Sequence, residues 1–284
     1  MNFFQSIFGH FERKRKRRNK LYELLNNIKE IQTKQLDLLN ALNFIKHFPD
    51  KTIQFPYKTL NGKDVLIKLY LPYYDKDMLS LTIIKNNTFH ENDVLNQLAF
   101  AYLKKIKHRI KVVDVGANIG NHTIFFSKVC GADVVSFEPQ KNCFETLKLN
   151  CELNSVNCEC FNVAIGEDNR KVAIDQFDSL NLGGNSFSYS DICDGDNIVC
   201  RSLDSFSFEY IDFIKIDVEG FEIEVLKNSI NTIQRHKPLI FIEVFPDNFS
   251  KVMNIMEDLN YSIIREFPYF NYLFCHGDSV FSKV

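Results

Sequence analysis

From residue 111 onward, short runs of β-branched and aromatic residues alternate with stretches of helical period, and this alternation restricts the fold more than any other feature. Strands are expected over 111–116, 133–138, 157–164, 211–217 and 238–244, with helices between most of them. Such a succession joins parallel neighbours through crossover helices, which predicts a mostly parallel sheet covered on both faces. "RKVAIDQF" and "NIVCRSL" read as short extra strands bracketing a loop, Ser179 to Asn197, rich in Gly, Asn, Ser and Asp. The tail, "YSIIREF" followed by "NYLFCHG", reads as a closing antiparallel pair. With 284 residues, 45% hydrophobic and 25% charged, the chain has enough apolar material to bury a core of this size.

Three regions are expected: 1–50, 51–110 and a main domain over 111–284. In 51–110, a mixed extension packing on the core, "KDVLIKLYLP" and "LSLTIIK" alternate like strands, and "ENDVLNQLAFAYLKKI" has helical period. Between 21 and 45 the apolar residues fall into two seams. Leu21, Ile28, Gln35 and Leu42 make one, Leu24, Ile31, Leu38 and Ile45 the other. This long helix suits either a coiled coil, which would make the protein a homo-oligomer, or a helix packed on its own domain. In "MNFFQSIFGHF" the residues Phe4, Ile7, Phe8 and Phe11 share a helical face, and residues 11–20 carry seven Lys/Arg against one Glu. That make-up fits an anchor on anionic lipid, or equally a solvated terminus.

The formal net charge of −2 leaves the body acidic once this basic cluster is set aside, which argues against nucleic acid as a partner. Eight cysteines show no CxxC pair, so no zinc site is expected and reduced thiols in the cytoplasm are the plain reading. No secretory signal and no apolar run long enough to span a bilayer stand out.

"VVDVGANIGNHT", residues 112–123, runs a valine-rich strand into two glycines and then opens a helix. Gly116 and Gly120 permit a tight turn close to a ligand. The spacing is G-x-x-x-G rather than the dinucleotide G-x-G-x-x-G, and Asp114 at the strand's end suits an ammonium group better than a pyrophosphate. Glu138 ends the next strand, where a carboxylate can accept both hydroxyls of a ribose. Together these features favour S-adenosylmethionine over a nicotinamide cofactor. Its amino-acid end would lie at the glycine turn and its adenine near Asn162 to Ala164.

The blocks "VDVGANIGNHT", "SFEPQKNCFETLKLNCELN", "NVAIG", "RSLDSF", "DFIKIDVEGFEIEVLKNS" and "PLIFIEV" resemble, in this order, the FkbM family of adenosylmethionine-dependent methyltransferases. The resemblance covers roughly residues 90–245, and "KIDVEGFE" is its most distinctive piece. Phe221 stands where the family block usually has alanine. The resemblance implies a class I methyltransferase (Rossmann-like) α/β fold, here preceded by the long N-terminal helix. It also implies O-methylation of a hydroxyl on a sugar or nucleotide-activated sugar, typically in bacterial surface polysaccharide synthesis. With its reduced cysteines the protein is expected in the cytoplasm, and lipid binding by residues 1–20 would place it peripherally on the inner membrane face. The donor-binding residues would be Asp114, Gly116, Asn118, Gly120, Thr123, Glu138, Pro139, Asn162, Ala164 and Asp217.

Strand alternation points Lys215, Asp217 and Glu219 one way, and Glu243 ends the next strand, so three carboxylates gather beside the expected methyl donor. Asp217 or Glu219 then serves as general base for the acceptor hydroxyl, with Lys215, Glu243 and His122 completing the site. A divalent ion held by the same acids is the less favoured mechanism. Alternatively Glu219 or Glu243 merely pairs with Lys215 or caps a helix, and His122 is a helix-surface residue. Glu222 and Glu224 read as surface acids in a helix's first turn. "LGGNSF", 182–187, reads either as a loop closing over the site or as a connector, and "DICDGD", 191–196, as a solvated acidic turn. An alternative of another class is a non-catalytic nucleotide-sugar or assembly subunit, which would have no need of the acidic trio and would bind neither adenosylmethionine nor its demethylated product.

Overall fold

The computed structural model describes residues 49–75, 77–174, 187–189 and 198–283, together with scattered positions between 20 and 48. The chain divides into two compact units, Met1–Pro49 and Asp50–Val284. In the first unit the described positions from 20 to 47 are helical, and Ile28 and Ile31 are exposed there. Residues 1–19 and the seam positions Leu21, Leu24, Leu38, Leu42 and Ile45 lie outside the described residues. Among the described residues, no helix is long and apolar enough to cross a membrane.

The second unit opens with an antiparallel hairpin, β1 (Thr52–Lys58) and β2 (Asp64–Tyr70). Ile53, Phe55, Ile67 and Leu69 are buried on its inner face. "LSLTIIK" then departs from the strand expected of it and lies in a helix, Met78–Asn86. Its apolar run is compatible with either period, and the start signal decides. The Asp77 carboxylate accepts from the Ser80 backbone N–H at 2.9 Å, an N-cap that supplies one of the helix's orphan donors with a partner. Asn87, in the left-handed region at φ 50°, ends it. A second helix, Asn92–Ala101, follows as its period predicts.

The main sheet has seven strands. β3 (Lys111–Val115), β4 (Asp133–Phe137) and β5 (Cys158–Phe161) form one half. Three short strands, β6 (Ala164–Ile165), β7 (Lys171–Ile174) and β8 (Phe187–Tyr189), join β9 (Ile198–Arg201) in a separate small sheet. β10 (Phe213–Ile216), β11 (Leu239–Glu243), β12 (Tyr261–Phe267) and β13 (Asn271–His276) complete the large one, in the order β5-β4-β3-β10-β11-β13-β12. All pairings are parallel except those of β13, which runs against both neighbours. This is the class I methyltransferase arrangement, a parallel sheet closed by an antiparallel strand.

The central strands are apolar on both faces because helices cover both. Val112, Val113 and Val115 are at most 2% exposed, and Phe213, Ile214 and Ile216 at most 1%. Each such side chain contributes roughly 1.5–3 kcal/mol on burial. Polar clamps add direction. In the helix Lys141–Asn154, Asn150 accepts from the Tyr70 N–H (2.6 Å) and donates to the Ile119 carbonyl (2.8 Å), tying β2 to the turn after β3. Because β4 and β5 leave β3 on one side and β10 and β11 lie on the other, the sheet's switch point falls between β3 and β10, where open α/β sheets bind ligands.

Candidate active site

A cleft opens at the carboxyl ends of β3, β4, β10 and β11. Gly116, at φ +77°, begins its floor, and a Cβ there would lie 1.8 Å from the Asp217 carbonyl oxygen. Only glycine lets the two strand ends approach so closely. Gly120, at φ +91°, lies outside the cleft lining, and its missing Cβ makes room for Leu147 of the helix Lys141–Asn154.

Lys215 and Asp114 are register partners on adjacent strands, 1% and 0% exposed. The Lys215 ammonium lies 3.2 Å from Asp114 and 3.3 Å from Asp217, and donates to the Gly116 carbonyl at 2.6 Å. Burial alone would lower its pKa, but the two carboxylates outweigh that and hold it raised. Lys215 is thus a permanent cation bracing the turn, unsuited to proton transfer. Asp114 takes a second contact from the Thr123 hydroxyl at 2.6 Å, and Thr123 meets Ser136 at 2.9 Å. Neither Asp114 nor Thr123 lines the cleft.

Glu138 lines it and is 4% exposed. Its two oxygens accept the backbone N–H groups of Asn118 (2.7 Å) and Gln140 (2.8 Å), leaving one lone pair on each facing outward. Burial pushes this carboxyl up to about 7 despite those donors. Asn162 donates to the Glu138 and Pro139 carbonyls, at 2.8 and 2.9 Å, so it clamps this loop from outside the lining. Pro139, Val163, Ala164 and Ile165 supply an apolar wall beside Glu138.

At the other end, Asp217, Glu219 and Glu243 bring carboxylate oxygens within 4.8 Å of one another, a spacing that would also accommodate a divalent ion. The three do not titrate alike. For Asp217, burial would raise the pKa, but Lys215 and His122 nearby hold it low. For Glu243, burial and the charges of Asp217 and Glu219 push it up to about 9. Glu219 is pushed up to about 7 by burial and by Asp217 and Glu222. It sits past the end of β10 in a left-handed turn, φ 50°, so strand alternation does not govern its direction. Glu222 anchors that turn. Fully buried, it accepts the Gly220 N–H at 2.6 Å and the Asn248 amide at 2.9 Å, rather than standing on the surface. Asn118 and Glu91 also line the cleft with positive φ, 51° and 55°, a clustering of backbone strain typical of working sites.

His122 is buried on the cleft wall, not on a helix surface, with Nε2 at 3.2 Å from Glu91. Burial would raise Glu91, but His122 outweighs it and keeps the carboxylate ionised. Glu91, His90, Asp77, Met78 and Leu79 all come from the segment before β3, which the sequence reading left without a role, as do Asn121 and Asn271 elsewhere. The one local signal was the cap spacing Asp77-x-x-Ser80. Phe187 of β8 lines the cleft, while the rest of the expected lid, 182–186, lies outside the described residues, as does 191–196.

Four carboxyls raised from an ordinary 4.5, those of Glu138, Glu219, Glu222 and Glu243, give the ligand-free protein a pH signature. Between about pH 5 and 9 the folded state holds more protons on them than the unfolded chain, so stability falls as pH rises. Burial lowers the His90 pKa, which acts oppositely but only below its ordinary 6.5. Thermal melts from pH 7 to 9 are expected to show a falling Tm, with the upper part of the slope flattened in Glu243→Gln. A Tm that climbs through this window would contradict the assignment.

The methyltransferase FkbM domain model matches residues 114–263, just over half of the chain. No curated protein matches. Among solved structures, the methyltransferase FkbM from Methylobacillus flagellatus KT is similar at 19% identity and TM-score 0.42, over 73% of this chain and 56% of that one. This chain therefore spans little more than half the length of that relative. The METTL16 MTase domain is similar at 12% identity and TM-score 0.47, over 84% and 93% of the two chains. The T. thermophilus 16S rRNA N2 G1207 methyltransferase, in complex with AdoMet and guanosine, is similar at 14% and 0.42, over 79% and 50%. Likenesses this distant say nothing about substrate.

Proposed function

The chain belongs to the FkbM methyltransferase family, and on that premise we propose that its cleft transfers a methyl group from S-adenosylmethionine to a hydroxyl of a sugar. The reading rests on one juxtaposition: a buried carboxylate with outward lone pairs, Glu138, at one end of the cleft, and at the other a carboxyl held near 7, Glu219. The residues fit such a donor. Glu138 suits ribose hydroxyls, Pro139 and Val163 to Ile165 suit a flat apolar base, and Gly116 leaves room for an amino-acid tail. When bound, the donor supplies a methyl group on a positively charged sulfur. Glu219 takes the proton of the acceptor hydroxyl, a role favoured by a pKa near the working pH. The Asp217–Glu243 pair accepts from neighbouring hydroxyls and orients them, while Lys215 holds Asp217 in place.

The lining also discriminates between acceptors. Lys215 is its single Lys or Arg among the described residues, and it is committed to Asp114, Asp217 and Gly116. Residues 175–186 and 190–197 contain no Lys or Arg either. A nucleotide diphosphate would meet carboxylates, which favours a sugar without that group, of the kind found in bacterial surface glycans. Incubating the protein with labelled donor and a panel of free, glycan-linked and nucleotide-activated sugars, read by mass, tests this. Transfer is expected to the first two classes. Chelator in parallel reactions tests a metal-assisted route, to which the 4.8 Å acidic trio lends some support. No transfer and no donor binding would leave the non-catalytic alternative standing.

A further inference from the structure

Asp77 is 3% exposed and lines the cleft. Its Oδ2 is engaged at the helix cap, accepting the Ser80 N–H at 2.9 Å and the Ser80 hydroxyl at 2.8 Å. Its Oδ1 is buried and has no hydrogen-bond partner. An acceptor desolvated without a partner costs about as much as a lost hydrogen bond, so its place in a binding cleft needs a ligand to explain it.

The donor's ammonium group needs such an acceptor. The turn after β3 holds two candidates, and Lys215 engages both. Asp114 lies outside the lining, its Oδ1 without a hydrogen bond but ion-paired with Lys215 at 3.2 Å and its Oδ2 accepting from Thr123, and the Gly116 carbonyl accepts from Lys215 at 2.6 Å. Glu138 has one free lone pair on each oxygen, enough for two ribose hydroxyls and no more. A carboxylate oxygen can only accept, so Asp77 Oδ1 calls for a hydrogen-bond donor, and a cation serves it best.

We propose that Asp77 Oδ1 binds the α-ammonium of the adenosylmethionine donor, the role the sequence spacing assigned to Asp114. The inference rests on the donor reading of the cleft given above. It also gives the segment before β3, which lies outside the family match, a part in donor selection. Asp77→Asn keeps an oxygen for the Ser80 cap but loses the charge.

Calorimetry on the full chain decides the matter with two ligands: S-adenosylhomocysteine, which carries the ammonium, and 5′-methylthioadenosine, which lacks the amino-acid half. Asp77→Asn is expected to weaken S-adenosylhomocysteine roughly tenfold to a hundredfold, the range of a charge-assisted hydrogen bond, and to leave methylthioadenosine unchanged. Ser80→Ala loosens the cap on Oδ2 alone and should change neither affinity. Equal losses for both ligands would place Asp77 on the ribose, and a Ser80→Ala effect matching that of Asp77→Asn would make its role structural. Either result, or no loss at all, overturns the proposal. Wild-type protein that binds neither ligand would instead bring down the donor reading itself.

Discussion

Replacing Lys215 with methionine is expected to destabilise the protein by about 3–5 kcal/mol, the cost of leaving a buried charge without its partner. Asp114 is wholly buried, and its remaining contact, the Thr123 hydroxyl, cannot balance a full negative charge. Asp217, the second carboxylate on Lys215, is a third exposed and can turn to water, so most of the penalty falls on Asp114. Urea unfolding measures it. The double variant Asp114→Asn/Lys215→Met removes both charges and should recover much of the loss. A second readout separates bracing from bulk stability. Lys215 also holds the Gly116 carbonyl, so the single variant should lose S-adenosylhomocysteine binding even at temperatures where it remains folded. A Lys215→Met protein as stable as the parent would mean that the contact between Lys215 and Asp114 does not hold the native state together.

That ion pair also marks where reading the sequence succeeds and where it stops. The strand before Gly116, the glycine turn and Glu138 were legible because each is a local statement: a valine run, a backbone position that tolerates no Cβ, an acid at a strand end. The closing pair 261–267 and 271–276 was legible for the same reason. Lys215 and Asp114 meet through the register of two strands a hundred residues apart, and alternation within one strand cannot show what the neighbouring strand presents. Alternation placed Lys215 beside Asp217, and a strand end placed Asp114 near the turn, but neither reading shows that the two side chains pair with each other. Glu222 was misjudged likewise, since a helix's first turn looks the same whether or not Asn248 of a later helix covers it. The segment 77–91 was opaque for a different reason. "LSLTIIK" suits both periods, and only the cap on Ser80 separates helix from strand. Nothing local announces that Glu91 and His122, thirty-one residues apart, will face each other across the cleft.

The acidic trio shows how far composition can stand in for chemistry. Three carboxylates at strand ends suggested a base, and the sequence left Asp217 and Glu219 both open for that part. In the structure the surroundings of the three acids differ: Lys215 holds Asp217 low, burial with the charges of Asp217 and Glu219 pushes Glu243 up to about 9, and Glu219, with no cation in hydrogen-bond reach among the described residues, is left near 7. Groups whose environments push their pKa values apart are how one site supplies both an anion and a proton acceptor.

Glu219→Gln is accordingly expected to lower kcat by about 10²–10⁴-fold, the usual contribution of a positioned general base. Donor affinity should stay within about twofold, because the groups assigned to the donor, Glu138 and the apolar wall beside it, do not include Glu219. The pH profile carries the sharper test. With Glu219 as base, the rate must rise as its carboxyl ionises, giving the parent enzyme an acidic limb centred near 7. The glutamine variant should keep only a residual, flat rate across that limb. Asp217→Asn makes the contrast. It also removes a partner of Lys215 and one of the charges that raise Glu219, so it should lower activity together with stability while the limb persists at a lower pH in whatever turnover remains. If the limb survives in Glu219→Gln and vanishes in Asp217→Asn, the proton goes to Asp217, and Lys215 must then release its hold on that carboxylate when the acceptor enters.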